Sequence, residues 1–184
     1  MATLQHLSIG GEDWFSFSGL YDQVVAKLPN PAHIVEVGCW KGRSVAHLAV
    51  AAHNTGKKIR VDAVDTWLGS EEHKDDECLG NDGLYRTFLE NISTIRHLIQ
   101  IVRLPSTVAA ATYPDRSLDF VFLDAAHDYE SVKADIAAWL PKIKTGGILA
   151  GHDYMCGWPG VDRAVAEAFN AVTFQDNSWM VILT

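Results

Sequence analysis

Short apolar runs alternate along the chain with longer amphipathic segments. The runs are rich in β-branched and aromatic residues and are too short for helices, which is typical of buried strands. In the segments between them, apolar residues recur at helical spacing. Strands that alternate with helices predict an α/β, Rossmann-like fold, a doubly wound and mostly parallel sheet of seven strands with helices on both faces. We expect strands at 34–37, 59–65, 98–104, 118–124 and 146–151, and a closing hairpin of 172–174 with 179–183.

The helices of this pattern are delimited by proline, glycine and hydroxyl residues. Ser44 is a suitable N-cap for the helix after the first strand, and Gly56 is a suitable residue just beyond its C-terminus. Trp14, Phe15 and Phe17 belong either to the core or to the wall of a pocket. Helical segments are expected at 14–28, 45–52, 84–95, 128–140 and 161–169, with a short alanine-rich helix after Pro105.

The composition is that of an ordinary globular protein. With 184 residues, 48% of them hydrophobic and 21% charged, we expect one domain over 1–184 that begins with a helical segment at 1–31. No apolar run approaches the ~18 residues of a membrane span, and no secretory leader is evident. The three cysteines at 39, 78 and 156 are few and odd in number, which favours a reducing compartment. We therefore expect a cytoplasmic protein.

The charge balance indicates the class of partner. The formal net charge is −8, and lysine and arginine do not cluster along the sequence. Affinity for nucleic acid depends on basic surface, so nucleic acid is not expected as a partner. A small-molecule substrate is expected instead, without a membrane partner, and a homodimer is a reasonable expectation.

One stretch, 33–44, combines a strand, a glycine loop and the start of a helix. Its sequence is H-I-V-E-V-G-C-W-K-G-R-S, in which Gly38 and Gly42 follow the strand. In this arrangement backbone N–H groups and the helix dipole face a ligand. The spacing is G-x-x-x-G, so the G-x-G-x-x-G fingerprint of dinucleotide sites is absent. Glu36 would repel phosphate and attract a sulfonium or ammonium group.

The motif E-V-G-x-x-x-G-x-S resembles the first motif of S-adenosylmethionine-dependent methyltransferases. Taken alone, it also fits a glycine turn in another α/β domain. The next strand ends at Asp65, where a carboxylate can accept hydrogen bonds from ribose hydroxyls or can be a solvated strand-end group. The polar, acidic segment 66–84 is long for a loop, and we interpret it as a lid that brings Trp67 near the cofactor. His73 and the carboxylates around it could bind a metal, but a solvated acidic loop is favoured.

Two further strand ends carry chemistry, at Asp124 to His127 and at His152 to Asp153. Both should lie at the carboxyl edge of the sheet, beside the glycine loop. Asp124, His152 and Asp153 could converge on one cation, since carboxylates suit Mg²⁺, Ca²⁺ or Mn²⁺ and an imidazole admits Zn²⁺, Mn²⁺ or Fe²⁺. His127 suits a general base. The alternative is that each residue is a helix cap or a satisfied loop group.

A more specific resemblance covers the chain from about Trp14 to Phe169. The segments V-D-T-W-L-G-S-E-E-H, S-L-D-F-V-F-L-D-A-A-H-D-Y-E-S-V and T-G-G-I-L-A-G-H-D-Y resemble class I methyltransferases of the macrocin-type and cephalosporin-hydroxylase-like group. The resemblance implies the fold and S-adenosylmethionine binding. By further resemblance, Asp124, His152 and Asp153 fall where catechol-type O-methyltransferases hold a divalent metal, and His127 falls where they carry a lysine. Those enzymes have a carboxylate and then a carboxamide at the second strand end, where this chain has His152 and then Asp153.

These observations predict an S-adenosylmethionine-dependent methyltransferase that acts on the hydroxyl oxygen of a small molecule, with possible help from Mg²⁺ or Mn²⁺. A non-catalytic S-adenosylmethionine-binding module and a nicotinamide-dependent oxidoreductase are the alternatives. The predicted catalytic residues are His127, Asp124 and Asp153, and the predicted metal ligands are Asp124, His152 and Asp153. The predicted cofactor-binding residues are Glu36, Gly38, Cys39, Gly42, Ser44, Asp65, Thr66, Trp67, Ser106 and Asp124.

Overall fold

The centre of the protein is a single sheet, seen in a computed structural model that describes residues 2–10, 14–70 and 77–184. Its strands are β1 (Ala32–Val37), β2 (Ile59–Asp65), β3 (Ile99–Arg103), β4 (Leu118–Leu123), β5 (Ile143–Gly151), β6 (Thr173–Gln175) and β7 (Ser178–Ile182). The spatial order is β3-β2-β1-β4-β5-β7-β6. The first five strands of that order are parallel, and β7 runs antiparallel to both β5 and β6. The predicted seven-stranded, mostly parallel sheet and its closing hairpin are confirmed.

In the part of the chain that the structure describes, six α-helices surround this sheet. They are α1 (Ser18–Lys27), α2 (Arg43–Asn54), α3 (Gly83–Asn91), α4 (Ser106–Ala110), α5 (Tyr129–Trp139) and α6 (Pro159–Ala168), with 3-10 helices at Glu77–Asp82, Ser93–Leu98 and Leu140–Lys142. Within the described ranges, none of the helices has the length and apolar character needed to cross a bilayer. The predicted lid at 66–84 is described only at its two ends, and His73 lies outside the described residues.

The buried side chains form one layer on each face of the sheet. Successive residues of a strand point to opposite faces, so Phe120 and Phe122 join one layer while Val121 and Leu123 join the other. Helices α1, α2 and α3 cover the first face, and α4, α5 and α6 cover the second. Helices therefore lie on both faces, as the alternating pattern predicts.

The first helix begins later than predicted, at Ser18 instead of Trp14. The reason is aromatic packing, because the ring of Phe17 lies 4.5 Å from that of Phe122 and 5.1 Å from that of Tyr21. This packing brings the residues just before the helix across the end of the sheet.

The predicted capping of α2 is correct at one end and wrong at the other. Gly56 follows the helix with a φ of +70°, and its N–H donates to the carbonyl of His53 at 3.1 Å. At the N-terminus the cap is Gly42, which leaves Ser44 inside the first turn. The Ser44 hydroxyl does not cap the helix because it donates to Glu36 Oε1 at 2.6 Å.

Candidate functional site

The carboxyl ends of four parallel strands open onto a cleft of about 740 Å³. This volume lies within the range of about 300–1,000 Å³ that is usual for small-molecule sites. The cleft lies where β1 has β2 on one side and β4 on the other, which is the switch point of a doubly wound sheet. Ten predicted site residues line it: Gly38, Cys39, Ser44, Asp65, Thr66, Ser106, Asp124, His127, His152 and Asp153.

The floor of the cleft depends on the close approach of two backbones. Gly38 has a φ of +84°, and a Cβ atom at this position would lie 1.9 Å from the carbonyl oxygen of Asp124. The N–H of Asp124 donates to the carbonyl of Val37 at 2.8 Å, and the N–H of Gly38 donates to that of Val64 at 2.9 Å. Only glycine fits here, because it lacks a Cβ and readily adopts positive φ. The ends of β1, β2 and β4 are thereby joined.

The glycine loop is held in shape by Asp65. Its Oδ2 accepts hydrogen bonds from the N–H groups of Cys39 at 2.7 Å and Trp40 at 3.0 Å, and its Oδ1 accepts one from Trp67 at 2.7 Å. Burial raises the pKa of this carboxyl group above its ordinary value, although these backbone hydrogen bonds oppose the rise. Asp65 thus both orders the loop and lines the cleft, and its contact with a ribose stays a prediction.

The predicted contact of Glu36 with a cationic ligand is corrected by the structure. The side chain is fully buried beneath the cleft, where Tyr21 Oη donates to its Oε2 at 2.8 Å and Ser44 holds its Oε1. Burial raises the pKa of Glu36 to about 8, against the effect of these two hydrogen bonds. Both carboxyl oxygens are therefore engaged within the protein, and the side chain does not face a ligand in the cleft.

Gly42 and Trp67 are also predicted ligand contacts that the structure places behind the cleft wall. A Cβ at Gly42 would lie 2.9 Å from the ring of Phe88, and the φ of this residue is +89°. Trp67 is 1% exposed and packs against the rings of Tyr85 and Phe88. Its Nε1 donates to the carbonyl of Trp40 at 3.0 Å. Both residues support the glycine loop from behind because α3 packs closely against it.

The predicted cation ligands Asp124, His152 and Asp153 come together at the ends of β4 and β5. One ligand atom from each residue lies within 4.8 Å of the others. His152 Nδ1 is 3.7 Å from Asp124 Oδ1 and 3.4 Å from Asp153 Oδ1. The backbone of Asp153 has a φ of +60°, a strained conformation that occurs at functional sites. Two carboxylates and one imidazole form a donor set that suits a divalent cation.

The two carboxyl groups of this cluster have pKa values that differ strongly. Burial raises the pKa of Asp124 to about 6, and the charge of His152 only partly offsets this effect. Burial also acts on Asp153, but its hydrogen bond with His127 and the nearby charges of His152 and His127 outweigh it and hold its pKa well below the ordinary value. The pKa of His152 is raised, because its two acidic neighbours outweigh the burial that lowers it. The two carboxyl groups of the cluster thus differ in how readily each of them loses its proton.

His127 is fixed by contacts on two sides. Its Nε2 lies 2.8 Å from Asp153 Oδ2, and its ring stacks on Trp158 with centroids 4.3 Å apart. An aspartate that accepts from one ring nitrogen orients the imidazole and selects its tautomer. The predicted general base is thus held beside the predicted metal ligands.

The amino-terminal segment contributes residues that the sequence indicates only partly. Trp14, Phe15 and Phe17 all line the cleft, but their surroundings differ. Trp14 is an exposed wall residue, whereas Phe17 also belongs to the buried core and Phe15 packs against it. Ser16 is not among the predicted residues, yet its Oγ lies 3.0 Å from His152 Nε2. The two residues are 136 positions apart, so no local pattern could have indicated the contact. The sequence also gives no indication of three further residues that line the cleft: Lys41, Arg43 and Asn177.

The comparison with protein families agrees with this geometry. Residues 35–154, about two-thirds of the chain, match a family described as a methyltransferase domain. The matched stretch contains the glycine loop, Asp65 and the cluster at the ends of β4 and β5. The chain belongs to this methyltransferase family. It is a class I, S-adenosylmethionine-dependent methyltransferase in fold and family.

Both curated and solved proteins are similar to this methyltransferase. The chain is 31% identical over 123 residues to the uncharacterized protein y4gI of Sinorhizobium fredii (strain NBRC 101917 / NGR234), and the match covers 67% of this chain but 13% of that protein. The structure of the O-methyltransferase NovP matches with a TM-score of 0.71 at 17% identity, covering 92% of this chain and 80% of that one. Cofactor-bound Rv0187 from MTB matches with a TM-score of 0.65 at 16% identity, covering 96% and 82%. At these identities the solved structures establish the fold.

Proposed function

We propose that this methyltransferase transfers a methyl group to a hydroxyl oxygen of a small molecule, assisted by Mg²⁺ or Mn²⁺. The observation that carries the proposal is the convergence of Asp124, His127, His152 and Asp153 on the cleft whose floor is Gly38. Two structural neighbours support the choice of oxygen, the O-methyltransferase NovP and CalS11, which is described as a TDP-rhamnose 3'-O-methyltransferase.

The cofactor would occupy the part of the cleft over β1 and β2. S-Adenosylmethionine, when bound, supplies the activated methyl group. Gly38, Cys39 and Ser44 would border its methionine part, Asp65 and Thr66 its ribose, and Ser106 the adenine side. Trp139 Nε1 donates to Ser106 Oγ at 2.9 Å, which fixes that hydroxyl at the edge of the cleft.

The acceptor would lie over β4 and β5. Asp124, His152 and Asp153 would hold the divalent cation, which when bound lowers the pKa of a hydroxyl group and directs its lone pair. The contact of His127 Nε2 with Asp153 would orient the imidazole of His127, which would take the hydroxyl proton. Trp14, Phe15 and Trp158 give the cleft apolar walls, which suit an acceptor with a flat or apolar face and limit the entry of water.

Calorimetric titration and a transfer assay test the proposal together. We expect S-adenosylmethionine to bind with micromolar affinity, Mn²⁺ to add a separate heat, and labelled methyl groups to reach phenolic or sugar hydroxyls in a panel of small molecules. The His127→Gln variant should lose at least about 10²-fold in kcat while binding the cofactor normally. His53→Gln is the matched control, because His53 contacts the carbonyl of Ala2 outside the cleft lining.

Three outcomes would contradict the proposal. Absence of S-adenosylmethionine binding would remove the cofactor assignment. Cofactor binding without a heat from Mg²⁺ or Mn²⁺ and without methyl transfer would indicate a non-catalytic binding module. Methyl transfer that is undiminished by chelation and by His127→Gln would assign the chemistry to other residues.

A further inference from the structure

The contacts of Ser16 restrict which nitrogen of His152 can carry a proton. Ser16 Oγ lies 3.0 Å from His152 Nε2 and 3.2 Å from the carbonyl oxygen of Asp176. A carbonyl can only accept, so the single hydroxyl proton of Ser16 serves the bond to Asp176. His152 Nε2 must then be the donor in its bond to Ser16. With the opposite tautomer, only one of the two hydrogen bonds could form.

The other side of the ring faces the two carboxylates. His152 Nδ1 lies 3.4 Å from Asp153 Oδ1 and 3.7 Å from Asp124 Oδ1, which is longer than a well-formed N–H···O hydrogen bond of about 2.7–3.2 Å. A proton on Nδ1 would therefore be poorly bonded, whereas a cation between Nδ1 and the carboxylates has the room it needs. The ring cannot easily turn over, because it is 9% exposed and its centroid lies 4.6 Å from that of Phe17.

We infer that Ser16 is a positioning residue that keeps the proton of His152 on Nε2 and presents the Nδ1 lone pair to the Asp124–Asp153 pair as a cation ligand. Partners of this kind on the far side of a ligating imidazole fix its tautomer and orientation. The inference rests on the proposed function in its metal step only. Ser16 thus takes part in the site although it is not one of the three proposed ligands.

Nuclear magnetic resonance tests the tautomer directly. Two-bond ¹H–¹⁵N spectra of the metal-free protein, recorded at a pH where the ring is neutral, distinguish the Nε2–H and Nδ1–H forms, and a His152→Gln variant assigns the signal. We expect the Nε2–H form in the wild type and in Ser16→Thr, and a shift towards Nδ1–H in Ser16→Ala. Ser178→Ala is the matched control, because Ser178 Oγ also donates to the carbonyl of Asp176 but has no bond to His152.

Binding of Mn²⁺, followed by electron paramagnetic resonance, gives the second measurement. Loss of the supporting hydroxyl should weaken Mn²⁺ affinity by about 10-fold, as is usual for partners of metal ligands, and threonine should restore it. Affinity for S-adenosylmethionine should change less than the affinity for Mn²⁺. An Nδ1–H form in the wild type, or a tautomer unaffected by Ser16→Ala, would overturn the inference. A wild type that binds no Mn²⁺ would contradict the proposed metal step, while the tautomer in the metal-free protein would still decide the role of Ser16.

Discussion

Two aspartates at different points of the sheet have opposite electrostatic environments, although burial acts on the charge of each. Asp62, on β2, accepts hydrogen bonds from His33 Nε2, Arg60 and Tyr113 Oη at 2.7–2.9 Å. These partners hold its pKa below the ordinary value, although burial acts in the other direction. Asp62 lies beneath the surface of the fold and its charge is fully matched by donors.

Asp124, just beyond β4, accepts no comparable set of hydrogen bonds from the residues that the structure describes. Its contact with His152 Nδ1 is 3.7 Å long, and burial raises its pKa to about 6. The protein thus stabilises the charge of Asp62 with its own donors, whereas the proposed function assigns the charge of Asp124 to a bound cation. Burial alone therefore does not identify a functional carboxylate. The number of hydrogen-bond donors that the protein itself supplies distinguishes a structural aspartate, such as Asp62, from a candidate functional one, such as Asp124.

The largest effect expected from this comparison is on activity. Asp124→Asn should lower kcat/KM by about 10²–10³-fold, because the amide removes a charge from the cation site at little change in shape. Asp62→Asn should leave the activity of the folded protein within about threefold. Steady-state assays on protein quantified as folded by circular dichroism provide the measurement. Comparable losses in both variants would mean that the two environments are not functionally distinct.

We expect a large effect on stability where the end of β4 contacts the glycine loop. Gly38→Ala should lower the free energy of unfolding by more than about 3 kcal/mol, because the new methyl group meets the Asp124 carbonyl in addition to the strain of positive φ. Gly56→Ala is the control, since Gly56 also has positive φ but a methyl group there would meet no atom within 4 Å. The free energy of unfolding of Gly56→Ala should fall by only about 1 kcal/mol. Urea denaturation measures both, and equal losses would argue against the close approach.

We expect a moderate difference in stability between the variants of the two aspartates. Asp62→Asn should lower the free energy of unfolding by about 2–3 kcal/mol, because it weakens several charge-assisted hydrogen bonds in a buried network. Asp124→Asn should change it by less than about 1 kcal/mol, because burial already penalises that charge. The measurement is the urea midpoint of each variant at pH 7 without metal. A greater loss at Asp124 than at Asp62 would reverse the assignment.

The smallest expected effect is a dependence of the stability on pH in the acidic range. The folded-state pKa of Asp62 is below its ordinary value of 3.8. Its stabilisation is therefore fully present above pH 3.8 and is lost as the pH falls through the lower, folded-state pKa. The difference in the free energy of unfolding between the wild type and Asp62→Asn should become smaller as the pH falls below 3.8. Unfolding curves between neutral and strongly acidic pH check this, and a constant difference would contradict it.

The sequence predicts most of the fold because the relevant signals are local. The strand Ile59–Asp65 has its predicted bounds, and the order of strands places Asp124 and His152 at one edge without any knowledge of side-chain contacts. Period-two and period-3.6 patterns, proline and glycine carry this information within short windows. The location of the cleft follows from the same topology.

The errors come from contacts between distant segments. Glu36 resembles an exposed charged group in the sequence, but Tyr21 of α1 covers it and burial raises its pKa. Ser44 fits the pattern of an N-cap, yet its hydroxyl is taken by Glu36. Ser16 has no distinguishing neighbours in the sequence, because its importance depends on where His152 and Asp176 lie. Local patterns contain no information about such partners.

The two hydrogen bonds of Ser16 have a consequence for the order of events during synthesis. They join an early segment of the chain to His152 and to the turn at Asp176, which is 160 positions later than Ser16. The strands β1, β2 and β4 precede Asp176 in the sequence, so the glycine loop and Asp124 are synthesised before that residue. The two hydrogen bonds of Ser16 can therefore form only after the turn at Asp176 has been synthesised.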